Sequence, residues 1–159
     1  MPSVYIETSI FSYLVADPSI NLVVAAHQKI TRDWWKDERE RFDLYASELV
    51  YAEITRGDPE MIEKRKEKVE GISMLYNNDQ VKELFQIYLK RLGLSEKSSA
   101  DLFHIAYMVA NELDYLLTWN CSHIANAEVI QRLHKVNYEI NAFTPLILTP
   151  EVLIKCTEE

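Results

Sequence analysis

The sequence predicts a three-layer α/β/α domain, in which helices cover both faces of a mostly parallel central sheet of about five strands. Short apolar runs typical of buried strands alternate with longer helical patterns along the whole chain. Strands that alternate with helices form parallel sheets, because each helix carries the chain back across one face of the sheet. The 159 residues are enough for a sizeable core, so residues 1–159 are expected to form a single domain.

Each element is predicted from its own local pattern. The first apolar run, Val4-Tyr5-Ile6, ends on Glu7, and the hydroxyls of Thr8 and Ser9 that follow can cap a helix. The predicted strands cover residues 3–7, 42–47, 72–76, 115–119 and 145–149. The predicted helices cover residues 8–16, 20–40, 48–57, 59–71, 78–93, 98–113 and 126–139. All three glycines of the chain stand at predicted helix ends, where glycine is favoured.

Composition and charge restrict the function classes. Apolar residues make up 48% of the chain, which is typical of a globular protein. Because 17 basic residues stand against 25 acidic ones, the net charge of −8 disfavours broad, salt-driven binding to nucleic acid, although a metal or a local basic patch could still recruit it. Cys121 and Cys156 lack zinc-site spacing, and neither a secretory signal nor a membrane span is recognisable, so a cytoplasmic location is expected.

Three acids stand at positions where chemistry is expected. Glu7 follows the first strand, and ligands of such sheets bind beyond the carboxyl ends of the strands. Glu53 falls within the apolar stripe of its helix, where a charge is costly unless it pairs with Arg56, escapes at the helix end or binds a metal. Asp101 lies in the first turn of a mostly apolar helix, where it could also act only by stabilising the helix end.

The three acids together are stronger evidence for a functional site than any one of them alone. A group of carboxylates without a counter-charge suffers mutual repulsion, and a divalent cation removes it. Oxygen-only ligands suit Mg²⁺ or Mn²⁺ better than zinc. The sequence therefore predicts a Mg²⁺ or Mn²⁺ site with Glu7, Glu53 and Asp101 as ligands.

The pattern resembles the PIN-domain family, and it is similar to the toxin ribonucleases of bacterial VapC-type toxin–antitoxin pairs. The resemblance extends over nearly the whole chain. It rests on the acid and hydroxyl after the first strand (Glu7, Thr8), on Glu53, and on the segment "SSADLFHIAYMVANELDYLLTWN", residues 98–120. The resemblance implies a small metal-dependent ribonuclease that cuts RNA and leaves a 5′-phosphate.

The resemblance also implies roles and partners. The catalytic residues would be Glu7, Glu53, Asp101 and Asn120, and the hydroxyls that orient water or phosphate would be Thr8, Ser9 and Thr118. RNA is the expected substrate, a small antitoxin protein and a second copy of the chain are the expected partners, and no membrane is involved. A core or helix–helix role is favoured for Trp34 and Trp35. The helix that carries them and the aromatic-rich segment 84–93 nevertheless offer more apolar surface than one small core needs, which would suit such an interface.

Two departures from the family pattern keep a second interpretation open. The first acid is usually aspartate and is Glu7 here, and the acid often found near the fourth strand is replaced by Asn120, with His123 close behind. Three carboxylates favour one bound ion over two. The alternative is a catalytically weakened PIN-fold protein that acts as a protein-interaction module.

Several residues have two open interpretations. Thr118 either orients a ligand water or caps the following turn, and Asn120 either contacts the metal or phosphate or has no part in the site. His104 is expected to be structural, and His123 is expected to be a surface or capping residue.

Overall fold

The computed structural model describes residues 1–93 and 95–156. Within them lie five strands, seven α-helices and three short 3-10 helices. The strands are β1 (Ser3–Ile6), β2 (Asp43–Ser47), β3 (Ser73–Leu75), β4 (Tyr115–Leu117) and β5 (Leu146–Leu148). The helices are α1 (Thr8–Val15), α2 (Leu22–Asp37), α3 (Glu48–Ile54), α4 (Pro59–Val69), α5 (Asp79–Arg91), α6 (Ser99–Ala110) and α7 (Ala127–Glu139).

The strands form one parallel sheet in the order β3-β2-β1-β4-β5. The predicted three-layer α/β/α fold is therefore confirmed. By the right-handed crossover rule, α1 to α4 lie on one face of the sheet and α5 to α7 on the other. No helix among the described residues is long and apolar enough to cross a membrane.

The central strand β1 shows why the sheet has this order. Val4, Tyr5 and Ile6 are fully buried, because β2 and β4 flank the strand and helices cover both faces. A strand in this position is apolar along its whole length, as the sequence shows. The connections from β1 lead to β2 and β3 on one side, whereas β4 and β5 lie on the other, so the topological switch point falls between β1 and β4.

The element boundaries differ from the predictions only at their ends. The predicted helix 20–40 is α2, which ends at Asp37 and is followed by a short 3-10 helix, Arg39–Arg41. Strands β3, β4 and β5 have three residues each, shorter than predicted. Residues beyond these short strands bond outside the sheet: the Thr118 hydroxyl after β4 donates to Glu7, and Asn78 after β3 caps α5.

The favoured core role of Trp34 and Trp35 is confirmed, whereas their expected contribution to an interface is wrong. Trp34 and Trp35 are buried in the core, and the Nε1 atom of Trp34 donates a hydrogen bond of 2.6 Å to the carbonyl of Leu153. Tyr88, in the aromatic-rich segment of α5, is also buried. These residues therefore supply no interface. Exposed apolar side chains are found instead around the start of α2, at Ile20, Leu22 and Val23.

Candidate functional site

The candidate site lies at the carboxyl ends of β1 and β4. Glu7 follows β1 directly, and its backbone N–H donates a hydrogen bond of 3.1 Å to the carbonyl of Leu117, the last residue of β4. The two strand ends thus meet at the switch point of the sheet. Parallel α/β sheets bind their ligands at this place, because the loops diverge there and leave a crevice.

Glu7 is held by three hydrogen bonds from its surroundings. Its Oε1 atom accepts from the hydroxyls of Ser9, at 2.6 Å, and Thr118, at 2.5 Å, and its Oε2 atom accepts from the backbone N–H of Ser9 at 3.0 Å. Glu7 is 6% exposed and is also the N-cap of α1, so its carboxylate satisfies a free N–H of the first helical turn. This carboxylate is oriented before any ligand arrives.

Glu53 projects from the last turn of α3 toward the same place. Its Oε1 atom accepts a hydrogen bond of 2.6 Å from the Thr8 hydroxyl and one of 2.5 Å from Nε2 of His104. Burial alone would raise the pKa of Glu53, but the hydrogen bonds from His104 and Thr8, together with the electrostatic effects of His104 and Arg56, outweigh it and lower the pKa. Glu53 is therefore ionised at neutral pH.

The two glutamates and His104 form the inner cluster of the site. One ligand atom from each of the three residues lies within 4.8 Å of the other two. In the described part of the chain, Glu53 contacts His104 and Asp101 contacts His123, and neither these two acids nor Glu7 forms an ion pair with Lys or Arg. Two ionised carboxylates at this separation repel each other, so the donor set fits a divalent cation that prefers oxygen, such as Mg²⁺ or Mn²⁺.

Asp101 lies in a second, outer cluster with Asn120 and His123. The Nδ2 atom of Asn120 donates a hydrogen bond of 2.9 Å to Oδ1 of Asp101, and Nδ1 of His123 lies 3.1 Å from Oδ2. Burial raises the pKa of Asp101, and the charge of Glu7 raises it further, although Asn120 and the two histidines His123 and His104 act in the opposite direction. The neighbours of Asp101 therefore do not fully offset the free-energy cost of burying its negative charge.

A short hydrogen-bonded path joins the outer cluster to the inner one. The backbone N–H of Asn120 donates to the Thr118 hydroxyl at 2.9 Å, and that hydroxyl donates to Glu7. The side-chain carbonyl of Asn120 accepts from the backbone N–H of His123 at 3.0 Å. The turn after β4 is thereby fixed next to Glu7, and Asn120 presents its amide group to Asp101.

The structure places the predicted hydroxyl residues among the acids. Thr8 donates to Glu53, and Ser9 and Thr118 both donate to Glu7. In this arrangement the three hydroxyls orient carboxylates. Thr118 also accepts from the backbone N–H of Asn120 in the following turn, and its orientation of a ligand water stays a prediction.

Sequence reasoning gave no site role to His104 and His123. His104 is only 1% exposed and stands three residues after Asp101 on a helix that is buried around most of its circumference. A histidine among apolar residues one helical turn from a candidate acid was the available signal. His123 carried no such signal, because it lies in an irregular segment whose path only the structure shows.

A cleft at the opposite edge of the sheet has no part in this cluster. It has a volume of about 630 Å³, lies at the amino ends of β1, β2 and β3, and is lined by residues that include Met1, Trp35, Asp43 and Ser73. None of the three candidate acids lines it. Position at the switch point and the meeting of carboxylates, rather than cavity size, therefore define the candidate site.

Comparison with known proteins bears on the fold alone. No family model matches the sequence, and no curated protein matches it. VapBC-1 from nontypeable Haemophilus influenzae is a similar solved structure, with a TM-score of 0.58 and 16% identity over 93% of this chain and 98% of that chain. VapBC2 from Rickettsia felis, solved with a DNA fragment from its promoter, has a TM-score of 0.57 and 12% identity over 92% and 97%.

A third similar structure is VapC20 of Mycobacterium tuberculosis, described as a sarcin–ricin loop cleaving toxin. Its TM-score is 0.51, with 16% identity over 72% of this chain and 87% of that chain. The identities are too low to transfer an activity, but the three alignments extend over most of the chain. The resemblance predicted from the sequence is confirmed at the level of the fold: the chain has the PIN-domain fold of VapC-type toxins.

Proposed function

We propose that the protein is a metal-dependent endoribonuclease that hydrolyses RNA phosphodiester bonds and acts as the toxin of a toxin–antitoxin pair. The observation that carries this proposal is the meeting of Glu7 and Glu53 at the switch point, with Asp101 connected to them through Asn120 and Thr118. The fold contributes the expectation of nuclease chemistry.

The residues present fit a single Mg²⁺ or Mn²⁺ ion held by Glu7, Glu53 and Asp101. When bound, such an ion would polarise a phosphoryl oxygen and lower the pKa of a water molecule. Three carboxylates compensate the charge of one divalent ion more closely than that of two, so one firmly held ion is expected. A histidine base or a covalent nucleophile is not required.

The chain's own residues prepare the site for that chemistry. Ser9 and Thr118 fix the carboxylate of Glu7, and Thr8 and His104 fix that of Glu53. Asn120 holds Asp101 through its amide group. Orientation before binding matters because ligands that must reorder lose part of the binding free energy. Thr8, Ser9, Thr118 and Asn120 remain candidates for contacting water or phosphate as well.

The same proposal includes protein partners. This chain aligns over most of its length with VapBC-1 and VapBC2, and their fold is the one that the sequence analysis linked to toxin–antitoxin pairs. The exposed Ile20, Leu22 and Val23 form an apolar patch at the start of α2 that could be covered by an antitoxin or a second copy. Light scattering at micromolar concentration decides between a dimer and a monomer, and a monomer removes the homodimer from the proposal.

A second candidate function is a catalytically weakened PIN-fold module that binds a protein. The observation that favours it is Asn120, whose neutral amide occupies the neighbourhood of Asp101 where a further acid is often found in the resembled family. This alternative predicts the same fold and the same partners without cleavage of RNA.

The test is cleavage of a mixed-sequence single-stranded RNA in Mn²⁺, Mg²⁺ or chelator. We expect cleavage that depends on the metal and is lost in Asp101→Asn, whereas the matched variant Asp33→Asn, at an exposed position of α2, retains it. Equal cleavage by Asp101→Asn, or cleavage in chelator, contradicts the metal mechanism. Absence of cleavage by the folded wild type under all conditions favours the interaction module.

A further inference from the structure

A buried chain of hydrogen bonds ends at Glu53. The hydroxyls of Ser47 and Tyr5 lie 2.7 Å apart, and the Tyr5 hydroxyl lies 2.7 Å from Nδ1 of His104. The other ring nitrogen of His104, Nε2, lies 2.5 Å from Oε1 of Glu53. Ser47 and Tyr5 are fully buried and His104 is 1% exposed, so water cannot replace any of these partners.

The donors and acceptors of this chain can be assigned in order. Ser47 accepts from the backbone N–H of Val50, at 3.2 Å, and its own hydroxyl proton has Tyr5 as its partner. The hydroxyl proton of Tyr5 is then directed to Nδ1 of His104. An ionised carboxylate can only accept, so the Nε2 atom of His104 must carry a proton. The result is a neutral imidazole with its proton on Nε2.

We propose that Tyr5 and His104 are positioning residues, which fix the Nε2–H tautomer of His104 and thereby aim the carboxylate of Glu53 at the metal site. The proposal rests on the proposed function, since the cation is part of that function. The chemistry concerned is the binding of one divalent cation by oxygen ligands, and His104 acts through Glu53.

The geometry explains why Glu53 needs this support. α3 is only seven residues long, and Glu53 stands in its last turn with a side chain that is 24% exposed. Such a side chain has several rotamers available unless bonds select one. In the described part of the chain, both of its hydrogen bonds fall on Oε1, which leaves Oε2 for a ligand.

The same geometry separates His104 from the metal ligands. Although His104 is close enough to the two glutamates to be considered a ligand, both of its ring nitrogens are already engaged. A histidine that binds a metal through Nε2 would have to give up the proton on that atom and the bond to Glu53. Residues that hold metal ligands in this way typically change metal affinity about 10- to 100-fold when they are lost.

The first experiment determines which ring nitrogen of His104 carries a proton. Two-dimensional ¹H–¹⁵N spectra of the histidine rings report which nitrogen carries the proton, in the metal-free protein and after saturation with diamagnetic Mg²⁺. We expect His104 as the neutral Nε2–H tautomer in both states. In Tyr5→Phe we expect a changed Nδ1 signal, because that nitrogen loses its hydrogen-bond donor, together with a weaker Nε2–H bond to Glu53. An Nδ1–H or doubly protonated ring in the wild type, or an unchanged ring in Tyr5→Phe, overturns the proposal. Loss of the Nε2 proton in Mg²⁺ shows that His104 is a ligand and overturns it too.

The second experiment measures Mn²⁺ affinity by calorimetry together with the free energy of unfolding. His104→Leu is expected to weaken Mn²⁺ binding about 10- to 100-fold. His104→Gln retains an N–H near the place of Nε2 and is expected to recover part of that loss, and it replaces His104→Leu if the latter does not fold. Tyr5→Phe is expected to lose less than His104→Leu, because the ring proton of His104 can still reach Glu53 in part of the population.

Tyr88→Phe is the matched control. The Tyr88 hydroxyl is also fully buried and donates a single hydrogen bond of 2.6 Å, to Asn137 on the far side of the fold. Tyr88→Phe should cost stability similar to Tyr5→Phe and leave Mn²⁺ affinity unchanged. Equal Mn²⁺ affinity in folded His104→Leu and wild type contradicts the positioning role. A wild type that binds no Mn²⁺ contradicts the proposed function. The tautomer experiment on the metal-free protein separates that outcome from a failure of the hydrogen-bonded chain, because it needs no metal.

Discussion

The inner and outer clusters of the candidate site shift the pKa values of Glu53 and Asp101 in opposite directions. In the inner cluster, Glu7 and Glu53 receive five hydrogen bonds from neighbouring donors, and the pKa of Glu53 is lowered because those bonds and nearby positive charge outweigh its burial. In the outer cluster, burial is the main influence on Asp101, and its pKa is raised.

This difference indicates which carboxylate a bound cation would stabilise most. The protein itself stabilises the negative charge of Glu53, so that carboxylate is ready before the ion binds. Asp101 is charged at a cost that its amide and histidine neighbours reduce only in part. A divalent ion bound at the proposed site would therefore stabilise the folded protein mainly by compensating the charge of Asp101, and removal of each acid should have a different effect on stability.

Glu7→Gln should have the largest effect, because it damages both the metal site and the fold. The amide oxygen can replace Oε1 toward the two hydroxyls, but the amide NH₂ then faces the backbone N–H of Ser9. We expect loss of Mn²⁺ binding and a decrease of about 1–3 kcal/mol in the free energy of unfolding, measured by urea denaturation in chelator. The exposed Glu128→Gln is the control, and unchanged stability of Glu7→Gln argues against the inner cluster as described.

Asp101→Asn should lose the metal without losing stability. The substitution removes a charge that burial disfavours, and its oxygen can still accept from Asn120. We expect Mn²⁺ affinity to fall at least about 100-fold by the loss of a charged ligand, while the metal-free free energy of unfolding stays the same or rises. Calorimetry and denaturation on the same samples measure both. If Asp101→Asn unfolds as readily as Glu7→Gln, the two clusters do not differ as proposed.

Asn120→Asp should further increase the electrostatic cost of holding negative charge in the outer cluster. The new carboxylate faces Asp101 where an amide now donates, so the metal-free protein should lose stability through like-charge repulsion. With metal, the added charge is expected to contribute about 1–3 kcal/mol, or roughly five- to a hundredfold in Mn²⁺ affinity. Unchanged or weaker binding by the folded variant removes Asn120 from the site.

The smallest effect is a pair of opposite pH dependences in chelator. The raised pKa of Asp101 means that the stability of wild type relative to Asp101→Asn is greatest at low pH and is lost as pH rises through the folded-state pKa. The lowered pKa of Glu53 means that the stability of wild type relative to Glu53→Gln is present at neutral pH and is lost as pH falls through the folded-state pKa. Denaturation from about pH 3 to pH 8 covers both windows; slopes of the same sign would contradict the assignment.

The sequence was sufficient to predict the fold, because each element carried its own signal. The apolar run of β1, the helix caps and the glycines at helix ends are local features, and the alternation of strands with helices determines a parallel sheet. The lengths of the last strands were less predictable, since the point at which a strand leaves its ladder depends on its neighbours. The core role favoured for Trp34 and Trp35 was correct, whereas the absence of an interface role was a tertiary property that the sequence of α2 alone could not decide.

For the site, the sequence identified acids but not their partners. Glu7, Glu53 and Asp101 were selected because a charge at a strand end or in an apolar stripe needs a reason. Several of the hydrogen bonds that make the inner and outer clusters different join residues far apart in the sequence, such as Thr8 with Glu53, 45 positions apart, and Thr118 with Glu7, 111 positions apart. His104 was assigned a structural role because a single buried histidine carries little information without its neighbours.

The measurement that tests the central claim most directly is the anomalous scattering of Mn²⁺ in crystals of the wild-type protein. We expect one Mn²⁺ peak at the carboxyl ends of β1 and β4, with oxygen atoms of Glu7, Glu53 and Asp101 at roughly 2–2.5 Å and with His104 still bonded to Glu53. Three results would contradict this expectation: no Mn²⁺ peak at saturating Mn²⁺, coordination of the ion by a ring nitrogen of His104, or an ion bound away from these three acids.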